Sequence, residues 1–245
     1  MSLPNVHQLY AVVDGTWPAA VVQRHGPWSV RIGQGGGSRV SAATAMGPVE
    51  DTHIPLAEAA MQAAGQTPLF MIREGDAALD ALLADRGYEI KDPVNLYAAP
   101  VASVATHRPP PVTTFDVWPP LAVQADIWAA GGIGPGRLAV MDRATGPKTT
   151  ILGRVDDRPA ATLYVAISGD CAMIHALETA TAHRRKGLAR HLTVAAAFWA
   201  QTQGATFLTL VTTEENTAAN ALYTSLGMTC VGQYHYRIQP ETARD

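Results

Sequence analysis

Three consecutive prolines, Pro109-Pro110-Pro111, interrupt the chain near its middle. Proline fixes φ and has no amide N–H, so the run fits neither a helix interior nor a central strand. It favours an extended polyproline conformation. Regular structure must therefore end before this point and restart after it. About 105 residues precede the run and about 130 follow, both adequate domain sizes. The expected organisation is a first domain over 1–104, a Pro-rich linker over 105–112 and a second domain over 113–245. With 47% hydrophobic residues the chain can bury a sizeable core.

The first half reads as a helix over Pro4–Val13, then a strand over Trp28–Ile32, whose apolar and polar residues alternate. The run Gly33-Gln34-Gly35-Gly36-Gly37-Ser38 leads into a second short strand, Arg39–Thr44. It lacks the Lys-Ser/Thr ending of a phosphate loop and lies between strands rather than before a helix. It reads first as a flexible hairpin and second as a ligand loop. Ile54–Ala64 reads as a helix, Leu69–Ile72 as a strand, Ala77–Arg86 as a helix stopped by Gly87, and Tyr88–Ala98 as a strand.

The second half opens with a helical region at Leu121–Ala130 and a Gly-rich break at Gly131–Gly136. Thr149–Val155 and Ala160–Ser168 alternate as paired strands, with Asp156-Asp157-Arg158-Pro159 as the turn. Gly169-Asp170 turns the chain into Cys171–Thr179. Leu188, Leu192, Ala195 and Trp199 then recur at helical spacing. Phe207–Thr212 is a strand. Asn216 is a good N-cap for a helix over Thr217–Leu226, and Gly227 a good stop. The last strand runs from about Thr229 to Ile238.

Between the third strand of this half and its long helix lies His183-Arg184-Arg185-Lys186-Gly187-Leu188-Ala189-Arg190. A helix start has unpaired backbone N–H groups and the positive end of the dipole. Gly187 lets an anion approach without a Cβ in the way, and four basic side chains add charge. Such a site is suited to a phosphate, a diphosphate above all.

Net charge is −3, so general nucleic-acid binding is not expected. Cys171 and Cys230 are too few for a disulfide framework and lack metal-ligand spacing, so buried free thiols are expected. Met1–His7 has no basic or apolar leader pattern, and no stretch reaches the ~18 apolar residues of a membrane span. These features read as a cytoplasmic protein without a membrane partner.

The second half resembles the GNAT superfamily of N-acetyltransferases. That family's acetyl-CoA motif is Arg/Gln-x-x-Gly-x-Gly/Ala between its fourth strand and a long helix, and Arg184-x-x-Gly187-x-Ala189 matches it in type, spacing and context. A second match is Asn216 followed by Asn220-Ala221-Leu222-Tyr223-Thr224-Ser225-Leu226-Gly227-Met228. The first half looks like a diverged copy without the motif, with Arg86-Gly87-Tyr88 echoing Leu226-Gly227-Met228. Trp28–Ala45 and Tyr234-His235-Tyr236-Arg237 resemble a bacterial subgroup with tandem GNAT domains. The resemblance implies an α/β (α+β) fold of two GNAT-like domains, each a mixed, mostly antiparallel twisted sheet flanked by helices. Only the C-terminal domain should bind acetyl-CoA productively.

By the same resemblance, acetyl-CoA is the co-substrate and no metal is needed. Its diphosphate would lie on Arg184, Arg185, Lys186, Gly187, Leu188, Ala189 and Arg190. Leu177, Glu178 and Thr179 would pair with pantetheine where the fourth and fifth strands splay. Asn216 would reach the pantetheine arm while capping its helix. Tyr223, beside an expected buried stripe of Ala218, Ala221, Leu222 and Ser225, is the candidate general acid. Full transfer from a phenol of pKa ~10 to a thiolate of pKa ~8.5 is uphill by ~2 kcal/mol, so the proton moves late. Family members often place a Glu on the fourth strand as base, and here that offset holds Met173. His175, Glu178 and the absence of any dedicated base stay open. His175 shares the face of Met173 unless a bulge intervenes, whereas Glu178 faces the other way unless the strand is bulged.

One face of Tyr234, His235 and Tyr236 could line an acceptor pocket, although packing is the commoner role of strand aromatics. The expected activity is transfer of an acetyl group to a primary amine, on a small molecule, by direct attack on the thioester. The alternative is a non-catalytic acyl-CoA sensor or partner-binding module. The protein is expected to act as a monomer or homodimer.

Overall fold

Helix α1 (Val6–Thr16) starts at a capping box. The Asn5 side chain accepts from the Gln8 amide, and the Gln8 side chain accepts from the Asn5 amide, which satisfies two donors of the first turn. In the computed structural model, which describes residues 2–240, α1 is followed by β1 (Val21–His25), β2 (Trp28–Ile32), β3 (Ala43–Ala45), α2 (Ile54–Ala63), β4 (Leu69–Ile72), α3 (Ala77–Asp85), β5 (Glu89–Pro100) and a short α4 (Val101–Val104). After the proline segment come β6 (Thr114–Val117), α5 (Ala122–Ala130), α6 (Pro135–Arg143), β7 (Lys148–Val155), β8 (Arg158–Ser168), β9 (Cys171–Thr179), α7 (Leu188–Thr202), β10 (Phe207–Thr213), α8 (Thr217–Ser225) and β11 (Thr229–Ile238).

The strands form one mixed, mostly antiparallel sheet of eleven, in the order β1-β2-β3-β4-β11-β5-β10-β9-β8-β7-β6. Only β3–β4 and β9–β10 are parallel. Apart from the additional edge strand β6, the order is symmetric about the central β11–β5 pair. β5, the last strand of the first half, lies against β10 from Phe207↔Pro100 to Thr213↔Val94. β11, the last strand of the second half, lies against β4 from His235↔Ile72 to Ile238↔Leu69. The halves thus exchange their last strands, and the sheet runs through both of them. The segment 105–112 joins α4 to β6 without dividing the sheet.

Several elements differ from the sequence reading, the unforeseen α4 and β6 among them. Arg39–Thr44 is not a strand: Ser38–Val40 forms a 3-10 turn and pairing begins only at Ala43. The cause is packing, since a Cβ on Gly36 would meet Val140 of α6 at 2.5 Å and Gly37 has φ of 91°. β1 adds an edge strand that is exposed along almost its whole length, so it carries no apolar alternation to detect. α6 begins inside the expected Gly-rich break, with Pro135 in its first turn, a favoured place for proline.

One face of the sheet carries α7, α8 and α4, and the other carries α1, α5 and α6. On α7 the buried stripe is Leu188, Leu192, Ala196 and Ala200, with Ala195 and Trp199 only at its margin. Leu192 enters a notch at Gly153, where a Cβ would sit 2.4 Å from its Cδ1. This contact fixes the height of α7 above β7 and β8. The outer end of the first half has a separate core around Trp28, Phe70 and Tyr88 beneath α2 and α3. No helix of the described residues is long and apolar enough to cross a membrane.

Candidate active site

β9 and β10 pair over four residues only, from Cys171↔Phe207 to Ile174↔Leu210, and then diverge. The divergence has a local cause. Opposite β8, Tyr164 pairs with His175 but Thr162 pairs with Glu178, so Ala176 and Leu177 together face a single residue. This is a β-bulge, which bends its strand. Ala176 sits at φ of 51°, and its carbonyl accepts a 2.7 Å hydrogen bond from Trp128 Nε1 of α5. β10 instead follows β5 as far as Thr213. The strands leave a wedge of about 720 Å³ between them, lined also by the 183–190 segment and the first turns of α8. The bulge also turns Glu178 onto the same sheet face as His175.

At the start of α7, Arg185 and Gly187 have φ of 65° and 81°. Left-handed residues in such a turn point successive N–H groups into one concavity. No side chain caps the helix, so its first-turn N–H groups are available to an anion. A Cβ on Gly187 would meet only His191 Nε2 at 3.8 Å. Backbone conformation, rather than space, therefore calls for glycine here. Around this turn, Arg184 pairs with Glu178 at 3.2 Å, Lys186 with Asp156 at 2.7 Å, and Arg190 donates to the Ser225 carbonyl at 3.2 Å. Exposed pairs like these add little stability, but those of Arg184 and Arg190 hold the cationic heads at the mouth of the wedge. The Lys186 ammonium holds the Asp156 carboxyl below the usual carboxylate range.

Asn216 caps α8, accepting from the Ala219 amide at 3.2 Å, and also lines the wedge. Tyr223 lies 6% exposed on the wedge wall, its ring 5.9 Å from that of Tyr97. Burial pushes its phenol pKa up to about 12. The expected stripe of Ala218, Ala221, Leu222 and Ser225 is not buried; Tyr223 is the buried residue of α8. Ala218 and Leu222 face the open wedge instead.

His175 is 3% exposed and both ring nitrogens have partners inside the protein. Arg39 Nη1 lies 2.8 Å from Nδ1, and Thr16 Oγ1 lies 2.8 Å from Nε2. Arginine has only donors, so Nδ1 accepts and the proton sits on Nε2. The Thr16 hydroxyl accepts that proton's hydrogen bond and donates its own to the Val12 carbonyl at 2.7 Å. Trp17 stacks on the imidazole with centroids 4.9 Å apart, and Arg39 lies over Trp17 at 5.1 Å. Burial, and then the Arg39 charge, hold the His175 pKa well below its ordinary value. Glu178 accepts from the Thr179 amide at 3.1 Å as well as from Arg184. It fits because Gly131 ends α5 without a side chain: a Cβ there would lie 2.6 Å from Oε2.

The residues expected at a CoA site thus border one cavity, except Lys186, which turns to Asp156 and lines a separate cavity. Sequence reasoning missed Thr16, Trp17 and Arg39, which reach His175 from 136 to 159 positions away. Nothing in their local sequence marks them. Among the described residues no group of three or more potential ligands could hold a metal ion.

Residues 114–228 match the model of the acetyltransferase (GNAT) family. These residues form a GNAT-type acetyltransferase domain. Several solved structures share the fold across both halves. A GCN5-related N-acetyltransferase from Kribbella flavida is 20% identical over 96% of this chain and 95% of that one, with a TM-score of 0.68. A functionally unknown conserved protein from Staphylococcus epidermidis is 10% identical over 91% and 94%, with a TM-score of 0.69. A tandem GNAT protein from the clavulanic acid biosynthesis pathway is 13% identical over 83% and 76%, with a TM-score of 0.60. Identities this low establish the fold alone. No curated protein matches the chain. A GNAT acetyltransferase fold supports acyl transfer from an acyl-CoA to an acceptor.

Proposed function

We propose that the chain is an acetyl-CoA-dependent N-acetyltransferase that acetylates the primary amine of a small molecule by direct attack on the thioester. The carrying observation is the convergence, in one wedge, of an unpaired strand edge, a left-handed basic helix start and a buried phenol. The α7 start suits the diphosphate, and the free edge of β9 at Leu177–Thr179 suits the amides of pantetheine. Micromolar affinity needs ~8 kcal/mol, which several donors and charges at one terminus can supply.

In the reaction the amine nitrogen bonds to the thioester carbonyl carbon, the C–S bond breaks, and the departing thiolate takes a proton. Tyr223 is the donor in this reading: its raised pKa keeps the phenol protonated across the working range. His175 is not given proton transfer, because Nδ1 already accepts from Arg39 and Nε2 already carries its proton. It holds the bulged end of β9 against α1 and orients Arg39.

Glu178 is the one carboxylate lining the wedge among the described residues. A carboxylate is too weak a base to retain a proton taken from an ammonium of pKa ~10. It attracts the cationic acceptor to the wedge; the free base in equilibrium with it attacks, and the proton that the nitrogen sheds as the amide forms passes by way of Glu178 to water. Calorimetric titration with acetyl-CoA, followed by an amine screen for CoA release, tests the reading. Binding with turnover supports it. Binding with no turnover of any amine leaves a non-catalytic acyl-CoA module, and no binding removes both.

A further inference from the structure

A second cavity, of about 170 Å³, opens beside the wedge and shares Arg39, Val211 and Thr212 with it. It includes Val94, Val211, Tyr234 and Tyr236, whose side chains pack on the sheet face that carries α1. The two cavities meet where β9 and β10 part.

The second cavity is polar and built. Arg39 and Arg137 both line it, with Asp92 as the one carboxylate among its lining residues. Arg39 cannot swing away, because Trp17 supports its plane and His175 accepts from one of its nitrogens. Arg137 comes from α6 and lies against the glycine loop, where a Cβ on Gly37 would be 3.3 Å from its Nε. The run Gly33–Ser38 therefore serves to bring the loop close to α6. Burial and the neighbouring Arg39 charge lower the Arg137 pKa, as two confined like charges should. Asp92 is supplied by a bulge: Tyr234 pairs with Val94 but Tyr236 pairs with Lys91, which leaves Asp92 at φ of 46°. Tyr234 and Tyr236 line the cavity at 3% and 2% exposure, with their hydroxyls close to one another.

We propose that this cavity binds the carboxylate of the acceptor between Arg39 and Arg137, which makes the acceptor a small amino acid. The inference rests on the wedge being the acetyl-CoA site. Two cations against one carboxylate leave a single net positive charge, which matches a carboxylate better than a phosphomonoester of about −1.5 to −2. The acceptor amine then points through the Arg39–Thr212 junction toward the thioester.

The test is CoA release by the full chain with α-, β- and γ-amino acids, each against its decarboxylated amine, and with phosphoethanolamine. The expected result is a kcat/KM for an amino acid about tenfold to a hundredfold above its matched amine, the usual worth of charge-assisted hydrogen bonds. Arg137→Gln should collapse that ratio toward one, mainly through the KM of the amino acid. Matched amines used equally well, a preference for phosphoethanolamine, or a ratio unchanged in Arg137→Gln would each overturn the inference and leave the acetyltransferase intact. If CoA binds without turnover, saturation-transfer NMR with the same amino acids reads the cavity directly: an Arg137-dependent signal supports it and none overturns it. Failure of CoA to bind at all would remove the wedge reading and this inference together.

Discussion

α2 and α7 occupy equivalent places in the symmetric sheet. Each leaves one strand of a parallel pair and leads into the other, β3 to β4 and β9 to β10. Their surroundings are opposite. The start of α7 carries Arg184, Arg185, Lys186 and Arg190 around a left-handed Gly187, and the gap beside it is open. The start of α2 carries Glu50 and Asp51, with Glu58 one turn on. Asp51 and Glu58 are held by Arg86 at 2.7 Å and by the Tyr88 hydroxyl at 2.7 Å respectively. The core beside it is filled by Trp28, Phe70 and Tyr88, with ring centroids 5.1 and 5.5 Å apart. One backbone plan therefore gives an open wedge in one half and a packed core in the other. The difference lies in side-chain volume between the strands and in the sign of the charge at the helix start.

The comparison breaks most visibly at the two aromatic positions. Tyr223→Phe should lower kcat by about 10²- to 10⁴-fold, the range for a proton donor in the transition state, with the KM for acetyl-CoA little changed. Steady-state kinetics checks this, and an unchanged kcat would remove the acid role. Trp28→Ala, in the filled half, should instead cost about 3–5 kcal/mol of stability and leave acetyl-CoA affinity alone. Denaturant unfolding and calorimetry on the same sample read both.

A smaller effect concerns pH. The reactive amine must be unprotonated, so kcat/KM should rise about tenfold per unit below the amine pKa of ~10. Because burial pushes Tyr223 up to about 12, the falling limb should appear near that value rather than at the ordinary phenol pKa of about 10. A pH–rate profile shows which holds.

The smallest effect is on folding. His175 is held neutral, its folded pKa lying well below the unfolded value of ~6.5. Its contribution is intact above that value and is lost as pH falls toward the folded pKa, by up to about 1.4 kcal/mol per unit. His175→Gln should flatten the stability profile below about pH 6.5, as measured by denaturant titrations at several pH values.

The parts of this architecture legible in the sequence are the locally determined ones. Asp156 and Asp157 both adopt positive φ, at 53° and 57°, and make the tight turn that joins β7 to β8. Asn216 caps α8 through its own side chain, and Gly187 takes the left-handed conformation its place before α7 requires. What stayed hidden depends on distant partners. Strand alternation fixes which face is buried but not which strand lies alongside, so the exchange of β5 and β11 leaves no local trace. The bulge that turns Glu178 into the wedge is centred on Ala176, a residue with no turn signature. Arg39 looks like a strand residue until Trp17 and His175 are seen to hold it. The two tyrosines of β11 face the second cavity, while His235 pairs with Asp80 on the other side at 2.8 Å.

The central claim is that one half of the chain, and only that half, holds acetyl-CoA, and that it does so at the start of α7. Calorimetric titration of the intact protein and of Gly187→Glu tests it most directly. One site per chain is expected in the intact protein, and binding should weaken by about a hundredfold or more in the variant, since a carboxylate would replace the diphosphate at a position that also favours glycine. Two sites per chain, or a Gly187→Glu variant that binds as tightly as the parent, would contradict it.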